Sequence, residues 1–329
     1  MDAYLQSTGD RHAQIVGGLT VLERRVRELA KAGVTRAFIA TAPLDLSRPM
    51  PIPIQFVPPG SPVPDGATVE RADMIAGIAI VDEDSRKSAE WKLIRGMNKS
   101  FEGPVDALIN WRFSMRITRV LARQSMKLTP NHVTLTAIVI GLLASLLASR
   151  GTYVTVASAG VLLELNSILD SCDGELARLR YQYSKLGQWL DNLSNDVVDN
   201  VFLIAVGHGI GGIWQTFGIC AALGRVLVSL VTYVSVYRRT GTGDVFAFRW
   251  WFESDKQTAD DVYDPKAITT WLRSFGRRDT FVFIWMLACL VGFPYWVVGH
   301  GLVIAAVNVS LLVLQFTVYR NKTASTGRD

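Results

Sequence analysis

Six apolar runs, each near the ~20 residues that cross a bilayer as a helix, fill most of residues 132–320. They lie at about 132–149, 152–171, 189–208, 213–236, 280–298 and 300–319. Residues 1–110 instead have the composition of soluble protein, so the 49% of hydrophobic residues is unevenly spread. The pattern predicts an all-α membrane bundle of six transmembrane helices, with a small cytosolic domain before it.

Basic residues sort the loops into two sides. Arg112, Arg116, Arg119, Arg123 and Lys127 precede the first run, and Arg178, Arg180 and Lys185 lie between the second and third. Arg238, Arg239, Arg249, Lys256, Lys266, Arg273, Arg277 and Arg278 lie between the fourth and fifth, and Arg320 and Lys322 follow the sixth. The other three loops hold little beyond Arg150. Basic loops stay cytoplasmic, which predicts a multi-pass inner-membrane protein with both termini cytoplasmic. The net charge of +5 is therefore a topology signal. Without interleaved basic and aromatic residues it makes no case for nucleic acid. The polar start, MDAYLQSTGDRH, shows no secretory signal. Cys172, Cys220 and Cys289 are too far apart for a metal-type pair.

Residues 1–95 predict the small α/β domain and 96–329 the membrane domain. In 14–43, Leu19, Leu22, Val26, Leu29 and Ala30 keep helical spacing. Gly33 suits a helix stop, and AFIAT (37–41) a strand. The Pro-rich stretch 49–66 predicts irregular or edge-like chain, and MIAGIAIVD (74–82) a second strand. Over 105–127, Arg112, Arg116, Arg119, Arg123 and Lys127 recur at four, three, four and four, one basic stripe on a helix. Such a helix suits the membrane interface, its stripe toward anionic headgroups. In KLTPNHVTL (127–135), Pro130 fits a helix start with Thr129 as N-cap.

The chemistry sits at the ends of the second and third runs: Asp170-x-x-Asp173-Gly174-x-x-Ala177-Arg178, then Gly187, then Asp191-x-x-x-Asn195. Ionisable groups at membrane depth are costly and mark function. Asp170 and Asp173 share one helical face, as do Asp191 and Asn195. The charge bias puts both pairs at one depth near the cytoplasmic side. Set against each other, they make an oxygen-rich cage for a hard cation such as Mg2+. Arg225, near the middle of the fourth run, should face the bundle interior. It would pair with Glu164 or form a cationic wall for phosphate, a contact also open to Arg238 and Arg239. His132, His208 and His300, at span ends, have no predicted chemistry.

On these residues the chain resembles the CDP-alcohol phosphotransferase family, whose signature reads Asp-x2-Asp-Gly-x2-Ala-Arg-x8-Gly-x3-Asp-x3-Asp. Asp170, Asp173, Gly174, Ala177, Arg178, Gly187 and Asp191 match it, and so does a helix-start motif of Thr129, Pro130, Asn131 and Thr134. The resemblance covers roughly 95–320. It implies attack of an acceptor hydroxyl on the β-phosphorus of a CDP-alcohol, with release of CMP. Asp170, Asp173 and Asp191 would hold one or two Mg2+ or Mn2+ ions against the pyrophosphate. Gly174, Ala177 and Gly187 would let the nucleotide approach, and Asn131, Thr134 and Arg178 would help hold it. The implied partners are a CDP-diacylglycerol or CDP-inositol donor, a small alcohol or lipid acceptor, membrane lipids and a second copy in a homodimer.

The last position departs: Asn195 stands where the family has the Asp that deprotonates the acceptor hydroxyl. An amide has no useful basicity, though its carbonyl can touch a metal. Three readings are open. The Asn is an introduced, silencing substitution; activity was lost or weakened naturally, leaving a silent CDP-alcohol-binding membrane protein; or a neighbour serves as base. Asp196 lies ~140° from Asp191 on the wheel and points elsewhere, while Asp199, at ~80°, is better placed but deeper. The first domain, in GGLTVLERRVRELAKAGVTRAFI, is similar to sugar-phosphate nucleotidyltransferases, and 84–114 to their junction with the membrane part. Family members with that fusion make inositol-phosphate products. The Gly-rich nucleotide loop is missing here, so this domain resembles a remnant that cannot make CDP-alcohol. A transporter or channel would show repeated halves, which this chain lacks.

Overall fold

The computed structural model describes residues 1–7, 9–46, 48–97, 104–123, 128–241, 248 and 276–326, with side chains to residue 317. Among the expected residues, Lys127, Arg249, Lys256, Lys266 and Arg273 lie outside the described ones, as do the side chains of Arg320 and Lys322. The chain divides into two compact units: Met1–Asn98 with Ile117–Leu128 and Glu175–Tyr181, and the remainder.

The first unit is a small α/β fold. Its elements run β1 (Asp2–Gln6), β2 (Ile15–Val16), β3 (Leu19–Thr20), α1 (Val21–Lys31), β4 (Arg36–Ala40), β5 (Ile54–Phe56), β6 (Thr68–Arg71), β7 (Met74–Ile75), β8 (Ile78–Ala79) and α2 (Glu83–Arg95). Four strands form a parallel sheet in the order β5-β4-β1-β6. Helix α1 starts at a capping box: Thr20 Oγ1 accepts from the Glu23 amide at 3.1 Å, and the Glu23 carboxylate accepts from the Thr20 amide at 2.8 Å. Its buried face, Leu22, Val26 and Leu29, packs with Ala3, Leu5, Ala37 and Ile39 of the sheet.

Three expectations change here. Leu19 belongs to strand β3, because the cap at Thr20 begins the helix later than its apolar spacing suggested. The 74–82 segment is a tight hairpin, not one strand. Ala76 and Gly77 take φ of +48° and +75°, the left-handed pair of a two-residue hairpin turn, and Glu28 Oε1 accepts from the Ala76 amide at 3.0 Å. Strand β1, one of the sheet's two inner strands, had no expectation, being five residues at the very start of the chain. The Pro-rich stretch supplies β5, an edge strand.

Helix α3 (Trp111–Ala122) follows, preceded by one π-type turn over Asp106–Asn110. The bundle helices are α4 (Pro130–Ala148), α5 (Tyr153–Arg180), α6 (Lys185–Ile210), α7 (Ile213–Thr240), α8 (Arg278–Leu290) and α9 (Tyr295–Thr326). Four are long and apolar enough to cross a membrane: α4, α5, α7 and Tyr295–Thr317 of α9. In α6 the polar residues Asp191, Asn195, Asp196, Asp199 and Asn200 interrupt the apolar run, and α8 has 13 described residues. Val198, Phe202 and Leu203 of α6 pack with Leu163, Trp285 and Val298 in the second unit's core. Phe202 stacks on Trp285 at 6.3 Å.

Candidate metal centre

Helix α5 ends with Asp170 and Asp173, and α6 begins with Asp191 and Asn195. An antiparallel turn between them brings both acidic faces together. One carboxylate oxygen from each of Asp170, Asp173 and Asp191 lies within 4.8 Å of the others. Unshielded carboxylates at such spacing repel strongly, so the arrangement calls for positive charge between them. Asp173 is 4% exposed and accepts a short hydrogen bond from Thr134 Oγ1 of α4, itself 4% exposed. Three convergent oxygens with no nitrogen or sulfur ligand suit a hard divalent ion.

Asn195 Nδ2 donates to Asp170 Oδ1 at 2.9 Å and to Asp191 Oδ1 at 3.1 Å. The amide therefore ties the two helices where a carboxylate would add a fourth negative charge. Gly187 lies one turn before Asp191, and Ser184 caps the helix by accepting its amide at 2.9 Å. A Cβ at Gly187 would stand 3.0 Å from Asn131 Oδ1, so glycine keeps this corner open. The predicted start of α4 is as built: Thr129 caps it and Pro130 is its first residue. His132 has a local role, its ring nitrogen accepting from the Thr129 amide at 3.1 Å. Gly174, Ala177 and Arg178 follow the cluster on the last turns of α5. Among the described residues the Arg178 Nε is buried without a hydrogen-bond partner.

Three arginine expectations are corrected or narrowed. Arg225 does not pair with Glu164. Its Nη2 bonds Asp199 Oδ2 and its Nε bonds Asn200 Oδ1, both at 3.2 Å, because α7 packs on α6. Arg238 and Arg239 stand exposed on the last turn of α7 and make no ion pair among the described residues. In the α3 stripe, Arg119 and Arg123 are taken by Glu90 at 2.7 and 2.8 Å, while Arg112 and Arg116 stay exposed.

Sequence reasoning missed Arg278. It sat in a loop as one basic residue among many, yet it begins α8 and reaches three polar partners: Asp170 at 3.3 Å, Asp199 at 3.3 Å and Asn166 at 2.7 Å. Asn166 in turn donates to the Ala137 carbonyl at 2.7 Å, holding α5 against α4. Beside the cluster lies a cavity of about 220 Å³, lined in part by Asn195, Asp196, Asp199, Arg225, Arg278 and Asn308. Asp196, expected to point elsewhere, faces this cavity and accepts from the Tyr233 hydroxyl at 3.0 Å.

Convergent aspartates from adjacent helix ends, followed by an Asp-Gly-x-x-Ala-Arg stretch and flanked by a cavity lined by Arg225 and Arg278, make up the candidate metal centre of this apolar helical bundle. A sequence profile of the CDP-alcohol phosphatidyltransferase family matches residues 127–311. That is more than half of the 329-residue chain, and the chain belongs to this family. It is similar to the "bifunctional IPC transferase and DIPP synthase" of Aquifex aeolicus, 27% identical over 246 residues, covering 73% of this chain and 50% of that protein. Its counterpart in Thermococcus kodakarensis is 34% identical over 164 residues, 48% of this chain and 36% of that one. An "archaetidylinositol phosphate synthase" of Pyrococcus horikoshii is 37% identical over 95 residues, 29% of this chain and 47% of that one. The chain spans half or less of the length of these relatives.

Proposed function

We propose that the protein transfers a phosphoalcohol group from a CDP-alcohol to an acceptor hydroxyl and releases CMP. The observation that carries this is the convergence of Asp170, Asp173 and Asp191 from two helices within 4.8 Å. A Mg2+ or Mn2+ ion held there would screen the charge that grows on the leaving phosphate. Phosphoryl transfer needs charge neutralisation and alignment more than covalent help. The chain's own groups then divide the work. Arg178 and Asn131 are the groups to hold the nucleotide, as the family resemblance implies. Arg225 and Arg278 line the cavity, as cations facing an acceptor. Two guanidiniums beside neutral Asn308 suit a phosphorylated polyol of the inositol-phosphate type, in keeping with the inositol-phosphate name of one relative.

The surrounding assembly we infer is a multi-pass inner-membrane homodimer of six-span chains with cytoplasmic termini, its α/β unit at 1–95 similar to part of a nucleotidyltransferase. Purified protein given CDP-diacylglycerol or CDP-inositol with inositol phosphate should release CMP in Mg2+ or Mn2+. Asp170→Asn should lower that rate at least 100-fold; no release from any pair sinks the proposal. Asn195 favours a second reading, a silent protein that binds CDP-alcohol and metal without transfer. Its signature is Mn2+ and donor binding with CMP release only after Asn195→Asp.

A further inference from the structure

Taking the transfer reaction above as given, the acceptor hydroxyl must lose a proton, and Asn195 cannot take it. The cavity beside the cluster offers two carboxylates, Asp196 and Asp199. Asp199 is occupied: Arg225 and Arg278 bond it at 3.2 and 3.3 Å, and it is 2% exposed. Asp196 is half-buried, and its described partner is a neutral one, the Tyr233 hydroxyl on Oδ2. Tyr233 is itself held by the Trp189 ring at 5.6 Å, so the carboxylate has a fixed orientation with Oδ1 left for a substrate. Asn195 and Arg278 line this cavity and also touch Asp170. An alcohol bound in the cavity is therefore adjacent to the metal cluster and to Asp196 at once.

We propose that Asp196, one residue past the motif's last position, is the proton acceptor of this chain. The acceptor O–H bond breaks and its proton passes to Asp196 Oδ1. The freed oxygen bonds to the β-phosphorus of the CDP-alcohol. The bond from that phosphorus to the bridging oxygen breaks, and its electron pair leaves with CMP. Asp196 then returns the proton to water. The neighbouring Asn195 keeps a structural task, bridging Asp170 and Asp191.

The test is a set of five proteins: unaltered, Asp196→Asn, Asp196→Ser, Asn195→Asp and the double variant Asn195→Asp/Asp196→Asn. CMP release is measured with CDP-diacylglycerol or CDP-inositol and inositol phosphate, and Mn2+ binding by electron paramagnetic resonance. General bases contribute about 100- to 10,000-fold. Asp196→Asn keeps an acceptor for Tyr233, so it should fold, bind Mn2+ and keep its donor KM while kcat falls at least 100-fold. The double variant should regain most of that loss, because the carboxylate moves to the family's position. Asp196→Ser, which removes the carboxylate, should match Asp196→Asn. An unchanged kcat in both variants overturns the proposal. So does an inert unaltered protein beside an active Asn195→Asp, which is the signature of the silent, donor-binding reading; an unchanged kcat in the Asp196 variants leaves the transfer reaction standing. No CMP from either the unaltered protein or Asn195→Asp overturns both.

Discussion

Thr134 and Asp173 show how one residue outside the carboxylate set can control it. Both are 4% exposed, and the threonine hydroxyl fixes one oxygen of the aspartate. A ligand whose outer partner is removed typically loses about 10- to 100-fold in metal affinity. Thr134→Val keeps the shape and deletes the donor. It should weaken Mn2+ binding by about that factor without unfolding the bundle, as read by paramagnetic titration; unchanged affinity would assign Asp173 to another anchor. At this scale the sequence was legible wherever chemistry repeats at fixed spacing. Asp170, Asp173 and Asp191 converge as their helical faces require. Arg225's partner was not legible, since Asp199 and Glu164 are both acids in neighbouring spans and only packing chooses between them. Nor was Arg278, whose partners Asn166 and Asp170 are more than a hundred residues away.

At the scale of elements, two buried arginines of the first unit close helix ends. Arg24, 1% exposed, donates to the carbonyls of Val16 at 2.7 Å, Gly17 at 2.8 Å and Leu179 at 3.0 Å, the last in the final turn of α5. Burial lowers the Arg24 guanidinium to about 10, the cost of keeping a cation dry. Arg180 donates to Leu121, Ala122 and Leu128 carbonyls at 3.0, 3.1 and 2.6 Å, two of them ending α3. The paired glycines in between leave the room. Gly17 has φ +55°, and a Cβ there would meet Arg24 Nη2 at 2.7 Å and Leu179 Cδ1 at 2.9 Å. Gly17→Ala should cost about 1–3 kcal/mol from crowding alone, seen as a lower Tm and faster proteolysis within 1–97. An unshifted Tm would mean the turn has slack.

Glu90 adds a pH dependence to the same unit. Burial alone would raise its carboxyl, but hydrogen bonds from Arg123 and Arg119 outweigh burial and hold it below the ordinary range. The folded chain thus binds fewer protons there than the unfolded one. Its stabilisation is present above the ordinary glutamate value of about 4.3 and is lost as pH falls through the depressed folded value. Glu90→Gln should flatten the loss of Tm on acidification below about pH 5, and a parallel decline in both proteins would contradict the pairing. This partner also narrows the basic stripe of α3. A helical wheel shows a cationic face, but not the buried acid on α2 that takes half of it.

For the whole molecule, hydropathy and charge sign were the legible quantities. Helices stand at all six apolar runs, and four of them are long and apolar enough to span. The 18-residue apolar window of Ile213–Thr240 has a mean hydropathy of 1.9, and 17% of it is buried within the chain. Leu223, Val226, Leu227 and Leu230 are exposed along it, which is tolerable in lipid and costly in water. The sheet order β5-β4-β1-β6 was not legible, because pairing between strands 17, 34 and 65 residues apart leaves no local pattern. Side assignment follows from the basic loops and can be tested directly. The α5–α6 turn is flanked by Arg178, Arg180 and Lys185, whereas the α4–α5 turn has Arg150 alone. Such asymmetry orients spans. In a Cys220→Ser background, a cysteine at exposed Tyr183 should react with an impermeant maleimide in inverted vesicles, and one at exposed Thr152 in intact spheroplasts. Labelling of both from one side would break the antiparallel crossing of α5, and the cytoplasmic placement of the carboxylate cluster would fail with it.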